Sequence, residues 1–233
     1  MFGVGSVPHA TDVAELGHND EMAPDEKTTV RPLSFDRHEL DEAGAVAARA
    51  FHHDPFFNHL APNPRQRATA LAIYWRAYLS SMRSGCHCLA ATRDGRMVGV
   101  AAWAPPGTFP FSARAQAVQI AGAARAAGRR PRALPGAART ILSMEHAHPK
   151  ELAHWYLVLL VADPSVQRSG VGSMLVGEVL ERCDSEGLPA YLETSNFDNL
   201  AYYARHRFAL RDKLEPVRAG PAIWTMLREP ARS

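Results

Sequence analysis

Apolar residues along this chain recur with two periods, and the switches between them mark out the elements. The longest unbroken apolar run, residues 155–161, reads as a central strand covered on both faces. Asp163 and Pro164 end it. From Gly170 the period becomes helical: Val171, Met174, Leu175, Val176, Val179, Leu180 and Cys183 share a face, and Glu178, Glu181, Arg182 and Glu186 form the wet one. The first turn of that helix is predicted within residues 167–173. Upstream, residues 28–33 read as a short β-like start and 36–51 as a helix. A loop over 52–64 follows, then a second helix over 65–82. Residues 88–92 and 97–103 alternate as two strands joined by the hairpin signal Asp94-Gly95. An alanine-rich helical stretch over 112–127, a break at 128–135 and a second helical piece to about residue 146 fill the interval before the central strand. Downstream come a strand over 190–194, a turn, a short helix from about Asn199 and a further strand after Phe208.

The junction between the central strand and its helix holds the chemistry. A helix start leaves backbone N–H groups without internal partners at the positive end of the dipole, so phosphate oxygens bind there. Gly170 and Gly172 carry no Cβ, which lets a ligand approach the backbone. Spacing separates the possible ligands. A P-loop needs a lysine after the last glycine, and none follows Gly172; a dinucleotide fingerprint needs a third glycine where Leu175 stands. The pattern Q-x-x-G-x-G of Gln167, Gly170 and Gly172, opening a helix after a strand that ends V-x-D-P, instead resembles the acyl-CoA pyrophosphate loop of the GNAT superfamily of N-acyltransferases. A second block, PAYLETSNFDNLAYYARHRF over residues 189–208, follows in that superfamily's order. With PAIWTMLREP over 221–230, it is most similar to the puromycin N-acetyltransferase subgroup. Asn199 and Tyr203 fall on that subgroup's N-x-x-x-Y. Its glycine before Phe208 is replaced by Arg207, which would be strained at a positive φ.

The resemblance implies a GNAT fold: a mixed, mostly antiparallel twisted sheet with splayed central strands, helices on both faces and a helical insert at about 105–150. It implies one domain over 28–230 that binds acetyl-CoA as co-substrate and acetylates an amine of a small molecule, such as an aminonucleoside or another antibiotic, by direct attack in a ternary complex. Acyl transfer from a thioester to an amine needs a held carrier, a polarised carbonyl, a deprotonated amine and a protonated leaving thiolate. Gln167, Arg168, Ser169, Gly170, Val171, Gly172 and Ser173 are expected to hold the pyrophosphate. The strand end at Leu159 to Val161 is expected to pair with the pantetheine arm, and a backbone N–H near Leu160 or Val161 to face the thioester oxygen. Tyr203 is the candidate general acid, since an unperturbed phenol stays protonated at neutral pH. Tyr202, turned about 100° away, is the candidate core residue. Asn199, on the same side as Tyr203, is expected to cap the short helix or bond the pantetheine arm, two compatible roles.

The base is read less directly, because the central strand carries no carboxylate. Glu193 on the next strand, acting through water, is the nearest acid; its alternative role is an ion pair or turn acceptor. His154 is a second candidate base, and Asp54 a partner for a cationic amine. Phe56, Phe57, His59, Trp75 and Trp103 are candidate walls of an acceptor pocket, with core packing the default for each tryptophan.

Composition narrows the classes. The chain has 233 residues and a net charge of +2, which gives no global argument for nucleic acid. No apolar run reaches the ~18 residues of a membrane span. Residues 1–27 read as a disordered acidic tail without a secretory signal, and the expected location is the cytoplasm. Three cysteines, Cys86, Cys88 and Cys183, form no CxxC pair, so no metal is expected. Arg114, Arg125, Arg129, Arg130, Arg132 and Arg139 form an acid-free basic insert. It reads either as an anion contact or as a solvated face. A monomer or homodimer is expected, with a regulatory or scaffold module that binds acyl-CoA without turnover as the alternative function.

Overall fold

The computed structural model describes residues 27–127 and 134–231. Residues 1–26 of the acidic segment and Arg129, Arg130 and Arg132 of the basic insert lie outside the described residues. In chain order the elements are β1 (Thr29–Pro32), α1 (Arg37–Ala50), α2 (Pro55–Leu60), α3 (Pro64–Ser81), β2 (His87–Arg93), β3 (Arg96–Ala104), α4 (Ala113–Ala127), α5 (Leu134–Ala147), β4 (Trp155–Ala162), α6 (Val171–Glu186), β5 (Ala190–Thr194), α7 (Asn199–Arg205), β6 (Ala209–Leu214) and β7 (Ile223–Arg228). The strands form one sheet in the order β1-β2-β3-β4-β5-β7-β6. Every neighbouring pair is antiparallel except β4–β5.

Local signals account for most boundaries. Asp94 (φ 52°) and Gly95 (φ 73°) both adopt the left-handed conformation that a tight β2–β3 hairpin requires. Asp36 and Asn63 cap α1 and α3, their side chains accepting from the backbone N–H groups of Glu39 and of Arg65 and Gln66. The expected loop over 52–64 contains a helix, α2, because Asp54 accepts from the N–H groups of Phe56 and Phe57 and Pro55 presets the first turn. Strand β7, which the apolar pattern had not marked, inserts between β5 and β6.

Two apolar clusters sandwich the sheet. Helices α1 and α3 cover one face together with Tyr156, Leu159, Val161 and Tyr191. Helix α6 covers the other with Trp155, Leu157, Leu192 and Tyr203. The insert extends the first layer: a Cβ on Gly122 of α4 would lie 2.5 Å from that of Ala77 in α3, so only glycine permits this approach.

The decisive irregularity is in β4. Leu157 pairs with Trp103 and Leu159 with Ala102, leaving Val158 as a bulge, and Val158 and Leu159 both contact the α1/α3 side. A bulge bends its strand and sharpens the twist. On the other edge, β4 pairs with β5 only through Trp155–Ala190, Tyr156–Tyr191 and Leu157–Leu192. Beyond Leu157 the two parallel strands part, and residues 158–162 have no strand partner on that side.

Candidate active site

The end of β4 is fixed before the chain turns into α6. The Asp163 N–H donates to Val98 O (2.8 Å). The Asp163 carboxylate accepts from Ser165 N (3.0 Å), Ser165 Oγ (2.7 Å) and Arg49 Nε (2.6 Å). Burial opposes ionisation of Asp163, but the Ser165 and Arg49 bonds outweigh it and hold the carboxyl below its ordinary value. Arg168 (φ 65°) and Gly170 (φ 88°) then take left-handed conformations, and helix α6 begins at Val171, at the C-terminal end of the predicted window.

No side chain caps α6, and the first backbone bond into Gly170 O comes from Met174 N (3.0 Å). The N–H groups of Val171, Gly172 and Ser173 therefore remain open, an anion-binding arrangement. Gln167, Arg168, Ser169, Gly170 and Ser173 are exposed around them, whereas Val171 is buried. The two glycines are needed for different reasons. Gly170 supplies a positive φ in open space, while a Cβ on Gly172 would meet Tyr202 Oη at 2.8 Å. Two groups missing from the motif also reach the turn: Arg93 Nη2 donates to Ser169 Oγ (3.2 Å), and His206 Nε2 lies 3.1 Å from Ser173 Oγ. Both arrive from outside the strand-turn-helix segment.

Helix α7 brings Tyr203 into the α6-side cluster, where it is 8% exposed and packs on Tyr202 (5.2 Å) and Phe208 (5.9 Å). Burial raises its phenol pKa further, so it is protonated at neutral pH. Tyr202, expected in the core, is the less buried of the two. Asn199 opens α7 without capping it, since Asp198 is the cap residue; Asn199 Nδ2 donates instead to Thr194 Oγ1 (3.4 Å). Arg207 does take the positive φ (67°) that its replacement of a glycine anticipated.

The opposite face holds the titratable groups. The Glu193 side chain is 4% exposed and lies 3.9 Å from His148 Nδ1, on a ring that is equally buried. The phenols of Tyr156 and Tyr191 surround it, and burial first, then the Glu193 charge, pushes both well above the ordinary tyrosine range. Asp54, the cap of α2, also accepts from Ser195 Oγ (2.7 Å) just past β5. Burial raises its pKa against the pull of Ser195 and the two cap amides. His154, just before β4, is buried and donates its Nδ1–H to Leu152 O (2.6 Å). Phe57 and Trp75 meet edge-on (5.9 Å) on this side. Trp103 does not join them: it is fully buried on the α6 face, because alternation along β3 turns it away. A cavity of about 310 Å³ opens beside this cluster, lined by Phe109, His148, Lys150, Glu151, His154 and Tyr156 among others.

The Cys86 and Cys88 thiols both pack on the α1/α3 side, and burial raises their pKa to about 11 and about 12. Such thiols stay protonated at neutral pH. Arg114, Arg125 and Arg139, the described members of the basic insert, are exposed. No helix among the described residues is long and apolar enough to cross a membrane.

Comparison with known proteins returns the same architecture. The sequence profile of the Acetyltransferase (GNAT) family matches residues 50–208. An uncharacterized N-acetyltransferase of Schizosaccharomyces pombe is 32% identical over 78 residues, which covers 33% of this chain and 32% of that protein. The match thus spans about a third of the curated relative. Among solved structures, the histone acetyltransferase HPA2 and related acetyltransferase from Corynebacterium glutamicum superposes with a TM-score of 0.62 at 23% identity, over 88% of this chain and 98% of its own. The PaiA N-acetyltransferase from Thermoplasma acidophilum in complex with coenzyme A gives 0.53 at 12% identity, over 87% and 99%. At these identities the likeness is one of fold.

Proposed function

The chain belongs to the acetyltransferase (GNAT) family, and on that premise we propose that it transfers the acetyl group of acetyl-CoA directly to an amine of a small molecule in a ternary complex. The observation that carries this reading is the juxtaposition of an uncapped helix start with a bulged strand whose edge is free from residue 158 onward. Both features fit one ligand. Its pyrophosphate takes the open N–H groups of Val171, Gly172 and Ser173, with Gln167, Arg168, Ser169 and Gly170 at the rim. The amides of its pantetheine arm pair with the β4 backbone around Leu159 and Val161, and Asn199 lies beside their path. The fold neighbour from Thermoplasma acidophilum was solved with coenzyme A.

The acid and base candidates stand on opposite faces of the sheet, Tyr203 toward α6 and Glu193 toward α3. That division suits direct transfer. The amine nitrogen attacks the thioester carbon from the Glu193 face, the C–N bond forms, and Glu193 takes the amine's proton, through water where needed. A backbone N–H of β4 near Leu160 or Val161 holds the oxygen on which charge develops. As the C–S bond breaks, Tyr203 gives its proton to the sulfur, and coenzyme A leaves as the thiol. The subgroup resemblance of residues 189–208 and 221–230 favours an aminonucleoside or another amine antibiotic as acceptor, acetylated in the cytoplasm by a monomer or homodimer.

Calorimetry with acetyl-CoA, paired with thiol release over a panel of aminonucleosides, aminoglycosides and polyamines, tests the reading. Saturable binding and amine-dependent release are expected. Binding without release for any amine would instead mark a cofactor-binding module.

A further inference from the structure

The Glu193 carboxylate is buried, so a proton delivered to it needs a way out. Hydrogen accounting around the two histidines beside it supplies one. His154 Nδ1 lies 2.6 Å from Leu152 O, a group with no proton to give, so this nitrogen carries the hydrogen. With the ring neutral, His154 Nε2 is then an acceptor. It lies 3.1 Å from His148 Nε2, so the hydrogen in that contact belongs to His148. Neutral His148 is left with a bare Nδ1, which is buried, has no hydrogen-bond partner and stands 3.9 Å from Glu193 Oε1. Two acceptors facing each other in a buried site are an unsatisfied arrangement, and one added proton between them satisfies both.

We infer that His148 and His154 relay the acceptor's proton from Glu193 to the water-accessible cavity that both rings line. The inference rests on the acetyl transfer proposed above. The steps balance: Glu193, protonated by the amine, gives that proton to His148 Nδ1 and returns to carboxylate. His148, briefly an imidazolium, releases the hydrogen on Nε2 to His154 Nε2. His154, carrying two hydrogens for that moment, loses the one on Nε2 to a cavity water, and His148 regains its starting tautomer by giving its Nδ1 hydrogen to water and taking one back at Nε2, so that one proton leaves per turnover. The cavity of about 310 Å³ holds several molecules, at roughly 30 Å³ each. Burial lowers the His154 pKa, so this ring passes a proton on rather than keeping it. The 3.9 Å gap is of the kind that tightens when substrate binds. Other charged or titratable groups facing the set are Tyr156 of β4, Tyr191 of β5 and Tyr78 of α3 around Glu193, Arg211 of β6 near His154, and Lys150 and Glu151 at the cavity wall. His148 is thus a positioning and relay residue; its ring also packs on Phe109 (4.1 Å), Tyr156 (4.9 Å) and Tyr191 (5.0 Å).

Packing and relay are separated by His148→Ala and His148→Phe in the full-length protein, with acetyl-CoA and the best amine of the panel. Relay predicts that both lower kcat about 10²-fold, the lower range for proton-transfer groups, with acetyl-CoA affinity kept. Added imidazole should restore His148→Ala, faster with more basic imidazoles, and leave His148→Phe unrestored because the ring fills the site. Unchanged kcat in His148→Ala, or a loss that imidazole does not relieve, overturns the relay. Should the variants not fold, side-chain ¹⁵N spectra of the wild type decide: His154 is expected as the Nδ1–H tautomer, and the Nε2–H tautomer reverses the hydrogen order and ends the argument. A wild type that acetylates no amine removes the proposed function, and the relay with it. A wild type that turns over while His148→Ala matches it removes the relay alone.

Discussion

The two faces of the central sheet are built on different principles. On the α6/α7 face the proposed recognition groups are mainly backbone: open N–H groups at an uncapped helix start, a glycine at φ 88° and a strand edge free beyond a bulge. On the α1/α3 face they are side chains buried together, with Glu193, His148, His154, Tyr156 and Tyr191 enclosed and Asp54 tied to Ser195. Backbone recognition suits a carrier that is always the same. Titratable groups held in contact suit proton movement, and burial already lowers the pKa of His154 and raises those of Tyr156 and Tyr191.

If that division holds, the largest loss follows from the α1/α3 face. Glu193→Gln keeps shape but cannot accept a proton, and should lower kcat by about 10²- to 10⁴-fold while calorimetry finds acetyl-CoA affinity unchanged. A parallel loss of cofactor affinity would mean that Glu193 holds the site together instead. Tyr203→Phe tests the other side. It should lower kcat by about 10²-fold, again with binding preserved, because the deleted hydroxyl acts only on the departing sulfur. Turnover equal to the wild type would remove Tyr203 from the chemistry and leave the α6/α7 face purely a binding surface.

The faces also differ in how far the sequence discloses them. The α6/α7 face was legible because each of its features is local. A strand, an Asp-Pro stop, a left-handed glycine and a helical period lie within residues 155–186, and the elements fall where the periods change. The bulge at Val158 left no sign in an all-apolar run, since alternation cannot be read where both faces are buried. The α1/α3 face joins positions remote in sequence. Glu193 and His154 stood out as isolated candidates, but His148 carries no motif, and its meeting with Glu193 depends on the path of the insert and on the β4–β5 pairing. The same limit left Trp103 between pocket wall and core, its default; sheet register puts it in the core. Helix α2 was missed in a stretch read as loop, although Asp54-Pro55, a capping residue followed by a first-turn proline, is a local signal that could have found it.

Gly172 sharpens the backbone side of the comparison. A methyl group there meets the buried, unpartnered Tyr202 hydroxyl at 2.8 Å and its ring carbon at 3.3 Å. Gly172→Ala should therefore destabilise by about 1–3 kcal/mol, the usual penalty for overpacking, and weaken acetyl-CoA binding by displacing the first turn of α6. Tyr202→Phe removes the clashing oxygen. In the double variant, thermal unfolding and calorimetry should both recover most of the loss. Additive losses would show that the phosphate turn, rather than Tyr202, requires the glycine.

The smallest effect separates two helix ends on the α6/α7 face. Helix α6 ends on Gly187 (φ 66°), with Gly187 N donating to Asp184 O (3.2 Å) and Leu188 N to Cys183 O (2.9 Å). Helix α7 ends in the same pattern on Arg207 (φ 67°), with Arg207 N donating to Ala204 O (2.9 Å) and Phe208 N to Tyr203 O (3.1 Å). Glycine is the relaxed residue at that position of the motif. An L side chain in the left-handed region costs about 1–2 kcal/mol. Glycine's greater freedom in the unfolded chain offsets about 0.5–1 kcal/mol of this. Arg207→Gly should therefore stabilise the protein by roughly 0.5–1 kcal/mol, a rise of about 1–4 °C in Tm. Because the turn seats Phe208 against Tyr203, kcat should stay the same if Arg207 is only a strained cap. A higher Tm with weaker acetyl-CoA binding would show that the Arg207 side chain itself serves the ligand, placing a side-chain contact on the face otherwise built from backbone.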